Sequence, residues 1–239
     1  MPKYGKWIGG GLGFVLGGPI GAIIGFGLGS FFDAGSVATG TSINRTTSGD
    51  FTVSLLVLVA AVMKADGKVL RSELEFVRGY FVQSFGVTTA AELVRILGNI
   101  VRRDIPVNDV CLQIRSNMDY PSRLELLHFL YGIAKADGAV HESEANIIGI
   151  ISINLGITQK DHDSIKAMFI DLSGAAYRIL EIEPTATNDE VKSAYRTMAK
   201  KYHPDKVSHL GEEIQKTANE KFKKVNEAYE KIKNERGMP

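Results

Sequence analysis

The chain has little of several features on which common functions depend. Its single cysteine, Cys111, excludes an internal disulfide and suits a reducing compartment. The formal net charge is only +1, which gives no reason to expect nucleic acid as the main partner. No nucleophile is paired with a base in a pattern typical of covalent catalysis. We therefore expect neither an enzyme nor a nucleic-acid-binding protein, and no resident organic cofactor.

Charge is also missing from one long stretch, the 25 residues from Ile8 to Phe32. A helix of that length can span a bilayer. A glycine face lets a second backbone approach closely, so the sequence predicts a membrane anchor over 1–32 that pairs with another copy in a homodimer. That face is formed by six glycines that recur at every fourth position: Gly9, Gly13, Gly17, Gly21, Gly25 and Gly29.

Two other interpretations of this stretch are weaker. A secretory signal has an apolar core of about 7–15 residues, and this one is longer, although Ser36-Val-Ala38 could serve as a cleavage site. The glycines neither follow a strand nor match a dinucleotide fingerprint, which disfavours a phosphate-binding loop. Residues 33–50 are rich in Ser, Thr, Gly and Ala, a composition that is typical of a flexible linker.

Helical periodicity dominates residues 51–172. The stretch from Val53 to Lys64 is apolar nearly all round, which predicts a central buried helix. Glycine, proline and Asp-Gly breaks then separate six further predicted helices: Ser72–Phe85, Ala90–Arg102, Val107–Asn117, Arg123–Ala136, Ser143–Leu155 and Gln159–Phe169. The pattern indicates an all-α fold.

An internal repeat lies within this helical region. The segment Lys64-Ala-Asp-Gly-Lys-Val-Leu-Arg-Ser-Glu73 matches Lys135-Ala-Asp-Gly-Ala-Val-His-Glu-Ser-Glu144 at a constant offset of 71 residues. Phe-Gly-Val-Thr88 and Leu-Gly-Ile-Thr158 follow the two copies. We interpret the region as a duplicated helix–loop–helix.

The repeated loop contains acidic residues that admit two interpretations. Each copy lacks two of the main carboxylates of a calcium loop, so an independent calcium site in each loop is not expected. In one interpretation, four acids share a single divalent cation if the loops pair through Val69 and Val140. In the other, which is favoured, the aspartates accept hydrogen bonds in turns and the glutamates lie at helix N-termini. The four acids are Asp66, Glu73, Asp137 and Glu144.

Near the C-terminus, the tripeptide His203-Pro204-Asp205 separates two amphipathic helical patterns. The first has an apolar stripe of Val191, Tyr195, Met198 and Tyr202, and the second has Ile214, Ala218, Phe222, Val225 and Tyr229. The stripes predict two antiparallel helices joined by a polar loop. A purely structural interpretation remains, in which Pro204 ends a helix and Asp205 caps a turn. His203 as a metal ligand or catalytic base is disfavoured, since no ligand cluster or nucleophile accompanies it.

This C-terminal arrangement resembles the J domain of DnaJ-type co-chaperones. Ala176–Ile182 is similar to the first helix of that family, Glu190–Arg196 to the second, and Lys221–Tyr229 to the third. The resemblance implies that the chain engages a DnaK-type ATPase chaperone and speeds its ATP hydrolysis. The residues to which it assigns this contact are the tripeptide and the basic second helix: His203, Pro204, Asp205, Lys192, Arg196, Lys200 and Lys201.

The other regions carry resemblances of their own. Residues 51–172 resemble the TerB-like domain, and the resemblance to a J domain covers 173–239. The glycine-rich run that ends in Phe-Phe-Asp33 is similar to the anchor of membrane-bound DnaJ-like proteins of the DjlA type. Such proteins join an anchor, a TerB-like domain and a J domain, so the fold class expected is an all-α chain with a glycine-rich transmembrane helix, a TerB-like bundle and a J-domain hairpin.

The leading functional hypothesis is a membrane-anchored J-domain co-chaperone whose TerB-like domain senses a signal or docks a client. The alternative is a metal- or stress-responsive membrane adaptor. Lys3 and Lys6 before the anchor favour a cytoplasmic N-terminus, because positive charge tends to remain inside. A J domain needs an ATP-fuelled partner, however, and this requirement outweighs so small a bias. We therefore expect a single-pass protein of the bacterial inner membrane with the TerB-like and J domains in the cytoplasm.

Overall fold

The computed structural model describes residues 18–21, 23, 48–65, 67, 69–170 and 173–238. The described residues contain helices and turns but no strand, which confirms the predicted all-α class. The chain divides into two compact units, Met1–Asp119 and Tyr120–Pro239. The division falls inside the predicted TerB-like region, so each unit contains one copy of the repeat.

From Ser48 onward, the first unit contains three helices. Helix α1 is buried from Leu55 to Met63 and contacts the other two, which confirms the predicted central helix. At the end of α1, the Lys64 ammonium donates to the carbonyl of Arg103 over 2.7 Å and pairs with Asp104 at 3.2 Å. The helices are α1 Ser48–Met63, α2 Arg71–Val101 and α3 Val107–Asn117.

Helix α2 is interrupted at Gly86, whose φ of 78° and ψ of 166° are not helical. Glycine adopts such a conformation without the steric penalty of a Cβ atom. The sequence predicts two helices here with a connection over 86–89, whereas the structure resumes the helix directly after Gly86. The break was located correctly, but its length was overestimated because residues 87–89 continue the second helix.

The second unit begins with α4, an apolar helix that is buried from Leu124 to Tyr131. Helix α6 contacts both α4 and α7, and α9 contacts α4, α7 and α8. The C-terminal hairpin therefore packs directly on helices of the second repeat copy. The elements are α4 Tyr120–Ala134, α5 Glu142–Asn154, α6 Gln159–Ala167, α7 Ala175–Ile179, α8 Asn188–Lys201, a 3₁₀ helix Pro204–Leu210 and α9 Glu212–Glu235.

The two long helices of the hairpin are antiparallel, as predicted. Tyr195 of α8 stacks on Tyr229 of α9 with ring centroids 4.3 Å apart, and the Tyr195 hydroxyl donates to Asn226 at 3.1 Å. At the other end of α8, His203 meets Phe222, which is earlier in α9. The predicted apolar stripes form the contact between them, with Val191, Met198, Ile214, Ala218 and Val225 all buried.

Helix α8 begins at a reciprocal cap. The Thr187 hydroxyl accepts the Glu190 N–H at 3.3 Å, and the Glu190 carboxylate accepts the Thr187 N–H at 2.6 Å. These two bonds satisfy donors that would otherwise be unpaired at the helix start. The bonds from Thr187 lower the pKa of Glu190.

The predicted anchor and linker lie mostly outside the described residues. Residues 18–21 are helical, and the Ile20 N–H donates to the Gln113 side chain of α3 at 2.9 Å. Of the predicted glycine face, Gly21 belongs to this short helical piece. Within the described ranges, none of the helices combines the length and the apolar character needed to cross a membrane. The other five glycines lie outside the described residues: Gly9, Gly13, Gly17, Gly25 and Gly29.

Candidate functional site

The His-Pro-Asp loop forms where α8 ends and a 3₁₀ helix begins. His203 has φ −62° and ψ 130°, an extended conformation that suits a residue before proline. Pro204 occupies the first position of the 3₁₀ helix, where its missing N–H leaves no bond unmade. Only Tyr202 and His203 therefore separate the end of α8 from the start of the next helix.

The two polar side chains of the loop are accessible. The Nδ1 atom of His203 accepts the backbone N–H of Asp205 at 3.3 Å, so in the neutral ring the proton resides on Nε2. The edge of the ring lies against Phe222, with centroids 5.9 Å apart. The Asp205 side chain is 77% exposed. The Asp205 carboxylate lies 3.5 Å from the Nδ1 atom of His203, and both side chains face solvent on the loop.

The four predicted cations of α8 fall into two groups. Arg196 and Lys200 are exposed and Lys192 is half-buried, and among the described residues none of the three forms an ion pair with a carboxylate. Lys201 differs, since its ammonium pairs with Asp161 and, at 2.7 Å, with Glu181. Its side chain is only 26% exposed. The geometry therefore leaves three cations for a partner and holds the fourth inside the unit.

Asp161 of α6 is the centre of a buried polar cluster. One of its carboxylate oxygens accepts the hydroxyls of Tyr120 and Thr158, each at 2.6 Å. The other oxygen pairs with Lys201 and lies 3.4 Å from the Tyr202 hydroxyl. The carboxylate joins residues before and after the loop between α6 and α7, so it links the repeat region to the end of α8.

A second buried ion pair joins Glu125 of α4 to Lys221 of α9, and both side chains are at least 96% buried. The Lys221 ammonium also lies over the Tyr202 ring, 4.7 Å from its centroid. The second oxygen of Glu125 has no hydrogen-bond partner. Burying two charges is costly, and removing either partner would leave the other uncompensated.

Burial and contacts with neighbouring polar groups together set the pKa values of these clusters. Burial raises the pKa of Asp161, but hydrogen bonds from Lys201, Thr158 and Tyr120 outweigh it, and the net pKa lies below the ordinary value. Burial lowers the pKa of Lys201, but Asp161 and Glu181 outweigh it and the net pKa is raised. Burial also raises the pKa of Tyr202 well above its ordinary value. At neutral pH, therefore, the Asp161–Lys201 pair is ionic and Tyr202 is an intact donor.

Sequence reasoning missed Asp161, Glu125 and the burial of Lys221. Glu125 had a visible signal, because it is a single acid within an otherwise apolar stretch of α4 together with His128. Asp161 had no such signal, since an acid in the first turn of a helix is ordinarily a solvated dipole partner. Its role depends on which residues the fold brings to it.

The predicted metal-binding acids make local contacts within their own loops. The Glu73 carboxylate accepts the Leu70 N–H and that of Glu144 accepts the His141 N–H, both at 2.8 Å. Asp137 accepts the Ala139 N–H at 3.3 Å. Asp66 lies outside the described residues. The described part of the chain holds no cluster of three or more potential metal ligands, and the shared-cation site stays a prediction.

A helical hairpin that presents His-Pro-Asp between a basic helix and a long third helix defines a J-domain protein. Comparison with known families agrees. Residues 175–237 match the DnaJ domain, 52–167 match the tellurite resistance protein TerB, and 1–41 match the transmembrane domain of the co-chaperone DjlA. No solved structure matches the chain.

Curated relatives match this chain either along most of its length or within its C-terminal part. The co-chaperone protein DjlA of Photobacterium profundum is 28% identical over 98% of this chain and 99% of its own length. DjlA of Vibrio parahaemolyticus is 26% identical over 79% of both chains. The chaperone protein DnaJ of Wolinella succinogenes is 51% identical over 59 residues, which cover 25% of this chain and 14% of that protein. The chain belongs to the DjlA co-chaperone family, which confirms the resemblance inferred from the sequence.

Proposed function

We propose that the chain stimulates ATP hydrolysis by a DnaK-type chaperone through its His-Pro-Asp loop. The observation that carries this proposal is the exposure of His203 and Asp205 on a loop that both flanking helices hold in place. The surrounding hairpin is anchored by buried contacts, so the loop is preorganised for one orientation of a partner. Preorganisation reduces the conformational entropy lost on binding.

The exposed cations of α8 supply the docking face in this proposal. Lys192, Arg196 and Lys200 recur at every fourth position and so lie along one side of the helix. A row of cations steers an acidic partner surface during encounter, and its effect declines with salt.

The decisive experiment measures single-turnover ATP hydrolysis by a DnaK-type chaperone in the presence of the full chain in detergent. His203→Gln is expected to abolish stimulation while the helical content is unchanged, because the side chain is half exposed and supports little of the core. His209→Gln, an exposed position of the same 3₁₀ helix, serves as the matched control and should stimulate normally. Normal stimulation by His203→Gln would refute the proposal.

The docking face has its own test in the same assay. Arg196→Glu should raise the chain concentration needed for half-maximal stimulation, and added salt should do the same for the wild type. Lys231→Glu, at an exposed position of α9, provides the charge-matched control. Equal effects of the two reversals would show that α8 is merely a solvated face.

The cellular placement that we propose is a single pass through the bacterial inner membrane, with the TerB-like and J domains in the cytoplasm. The transmembrane-domain match supports the anchor, and the need for an ATP-fuelled partner supports the orientation. Protease added to intact spheroplasts should leave the J domain uncut. Its digestion under those conditions would reverse the orientation.

The glycine face of the anchor is proposed to pair two copies, and the TerB-like domain to act as the sensing or client-docking module. Replacing Gly17 and Gly21 with leucine should weaken crosslinking between copies in detergent but retain the chain in the membrane fraction. Unchanged crosslinking would argue against a glycine-mediated dimer. Pulldown with and without residues 52–167 tests whether that domain brings clients to the chain.

A further inference from the structure

Two separate sets of buried contacts converge on the residues that immediately precede the His-Pro-Asp loop. Lys201 is the last residue of α8 and Tyr202 is its C-cap, so His203 comes directly after this pair. Tyr202 is 2% exposed and therefore fixed by its surroundings. Whatever holds Lys201 and Tyr202 also fixes the direction in which the chain enters the loop.

The first set of contacts is made by α6, which is outside the DnaJ-domain match and inside the TerB match. Asp161 is 3% exposed and pairs with Lys201, and it is itself oriented by the hydroxyls of Tyr120 and Thr158. Near it, the Ser164 hydroxyl donates to the carbonyl of Ile179 at 2.9 Å. These bonds connect α6 both to the end of α8 and to the short helix α7.

The second set of contacts is made by α4. Glu125 pairs with Lys221, whose ammonium covers the Tyr202 ring. The next residue of α9, Phe222, contacts the His203 ring. The position of α9 relative to the loop is thus set by an acid of the repeat region.

We propose that Asp161 is a positioning residue for the His-Pro-Asp loop, and that Lys201 acts with Asp161 rather than with the partner chaperone. The working J module of this chain then includes α4 and α6 of the repeat region. This inference rests on the proposed stimulation of a DnaK-type chaperone. It assigns to the second repeat copy a role in activating the partner's ATPase.

The connection between α6 and α7 supports such a module. Only residues 168–174 separate the two helices, so the hairpin is held close to α6. A short connection gives a high effective concentration, which favours an intramolecular ion pair over a competing contact with another protein. A docking partner would have to displace Asp161 and Glu181 together to reach Lys201.

The test is a double-mutant cycle on Asp161 and Lys201 in the full chain, read out as single-turnover stimulation of the chaperone's ATPase. Asp161→Asn and Lys201→Ala should each lower the maximal stimulation by about tenfold, the cost of one lost charge-assisted hydrogen bond in positioning. The half-saturating concentration should be unchanged, because Lys192, Arg196 and Lys200 remain. The double variant should lose no more than either single variant.

Asp163→Asn, two residues along the same helix with a half-exposed side chain, is the matched control and should be silent. Tyr120→Phe removes one donor to Asp161 with almost no change of shape, so it tests the same idea if Asp161→Asn does not fold. It should lower the maximal stimulation by a smaller factor. A normal maximum in a folded Asp161→Asn or Tyr120→Phe variant would overturn the proposal.

A second result would also overturn the proposal. If the effects of Asp161→Asn and Lys201→Ala are additive and Lys201→Ala raises the half-saturating concentration, Lys201 is a docking residue. Absence of stimulation by the wild type would instead refute the proposed function. In that case the same double-mutant cycle, measured by melting temperature, still tests the pairing. Non-additive decreases in melting temperature support the Asp161–Lys201 contact, and additive decreases overturn it.

Discussion

The two copies of the repeat have nearly the same local construction but differ in what they bury. In both, a glutamate at the end of the loop accepts a backbone N–H three residues earlier at 2.8 Å. Glu125, His128 and Tyr131 of the second copy, however, stand where the first copy has Ser54, Val57 and Ala60. All six positions are buried. The duplicated fold therefore tolerates either small uncharged or ionisable residues at these three buried positions, and only the second copy has ionisable ones.

The helices that follow the loops show the same contrast. Gly86 and Gly156, both with positive φ, align the two copies at this point. In that alignment Asp161 corresponds to Ala91, which is exposed. The first copy thus lacks the carboxylate with which the second copy holds Lys201. Glu125 and Asp161 of the second copy thus each form an ion pair with a lysine of the hairpin that packs on it.

The largest expected effect comes from disrupting the Glu125–Lys221 pair. Glu125→Gln leaves a buried ammonium without its counter-charge and should cost about 3–5 kcal/mol of unfolding free energy. Ser54→Ala at the matching position of the first copy should cost no more than about 1 kcal/mol. Urea unfolding of the full chain in detergent measures both. Losses of similar size would mean that the two copies are not distinguished by this surface.

The second effect concerns pH. Burial lowers the pKa of His128 well below its ordinary value, and the Lys221 charge acts in the same direction. Burial also lowers the pKa of His162, although the charge of Asp163 opposes it. The unfolded chain, with histidine pKa values of about 6.5, therefore binds more protons than the folded chain. Stability should fall as the pH drops below about 6.5, by up to about 1.4 kcal/mol per pH unit for each histidine.

Replacing His128 with valine, the residue that the first copy has, should reduce this slope. Urea midpoints between about pH 7.5 and about pH 5.5 provide the measurement. Ser54→Ala, which changes no titratable side chain at the matching surface of the first copy, should leave the slope as it is in the wild type. A His128→Val variant with the wild-type slope would show that the buried histidine is not the source of the pH dependence.

The comparison also shows what the sequence could predict. The helices, the loop repeat and the antiparallel hairpin follow from periodicity, and Val107–Asn117 was predicted with the bounds that the structure gives. The exposure of His203 and Asp205 followed from their place between two amphipathic helices. The separation of Lys201 from its three neighbours could not be predicted, because it depends on Asp161, which is forty positions earlier in the chain and is ordinary in its local sequence.

The smallest effect is expected in the repeated loop of the second copy, where Asp137 lies. The hydrogen bond from the Ala139 N–H lowers the pKa of Asp137, and a smaller contribution from His141 acts in the same direction. This carboxylate therefore stabilises the loop above its pKa and ceases to do so in acid. Asp137→Asn should lower the melting temperature slightly, and equally in chelator and in divalent metal. A loss seen only with metal would favour the shared-cation interpretation of Asp66, Glu73, Asp137 and Glu144 instead.

Native-state hydrogen exchange on the full chain tests most directly whether the second repeat copy and the J hairpin are one module. We expect the slowest amides of α4, α6, α8 and α9 to exchange with a common opening free energy, because these helices open together. Glu125→Gln should lower that value equally in all four helices. Opening of α8 and α9 at a lower free energy, with α4 and α6 unaffected by the substitution, would contradict the account.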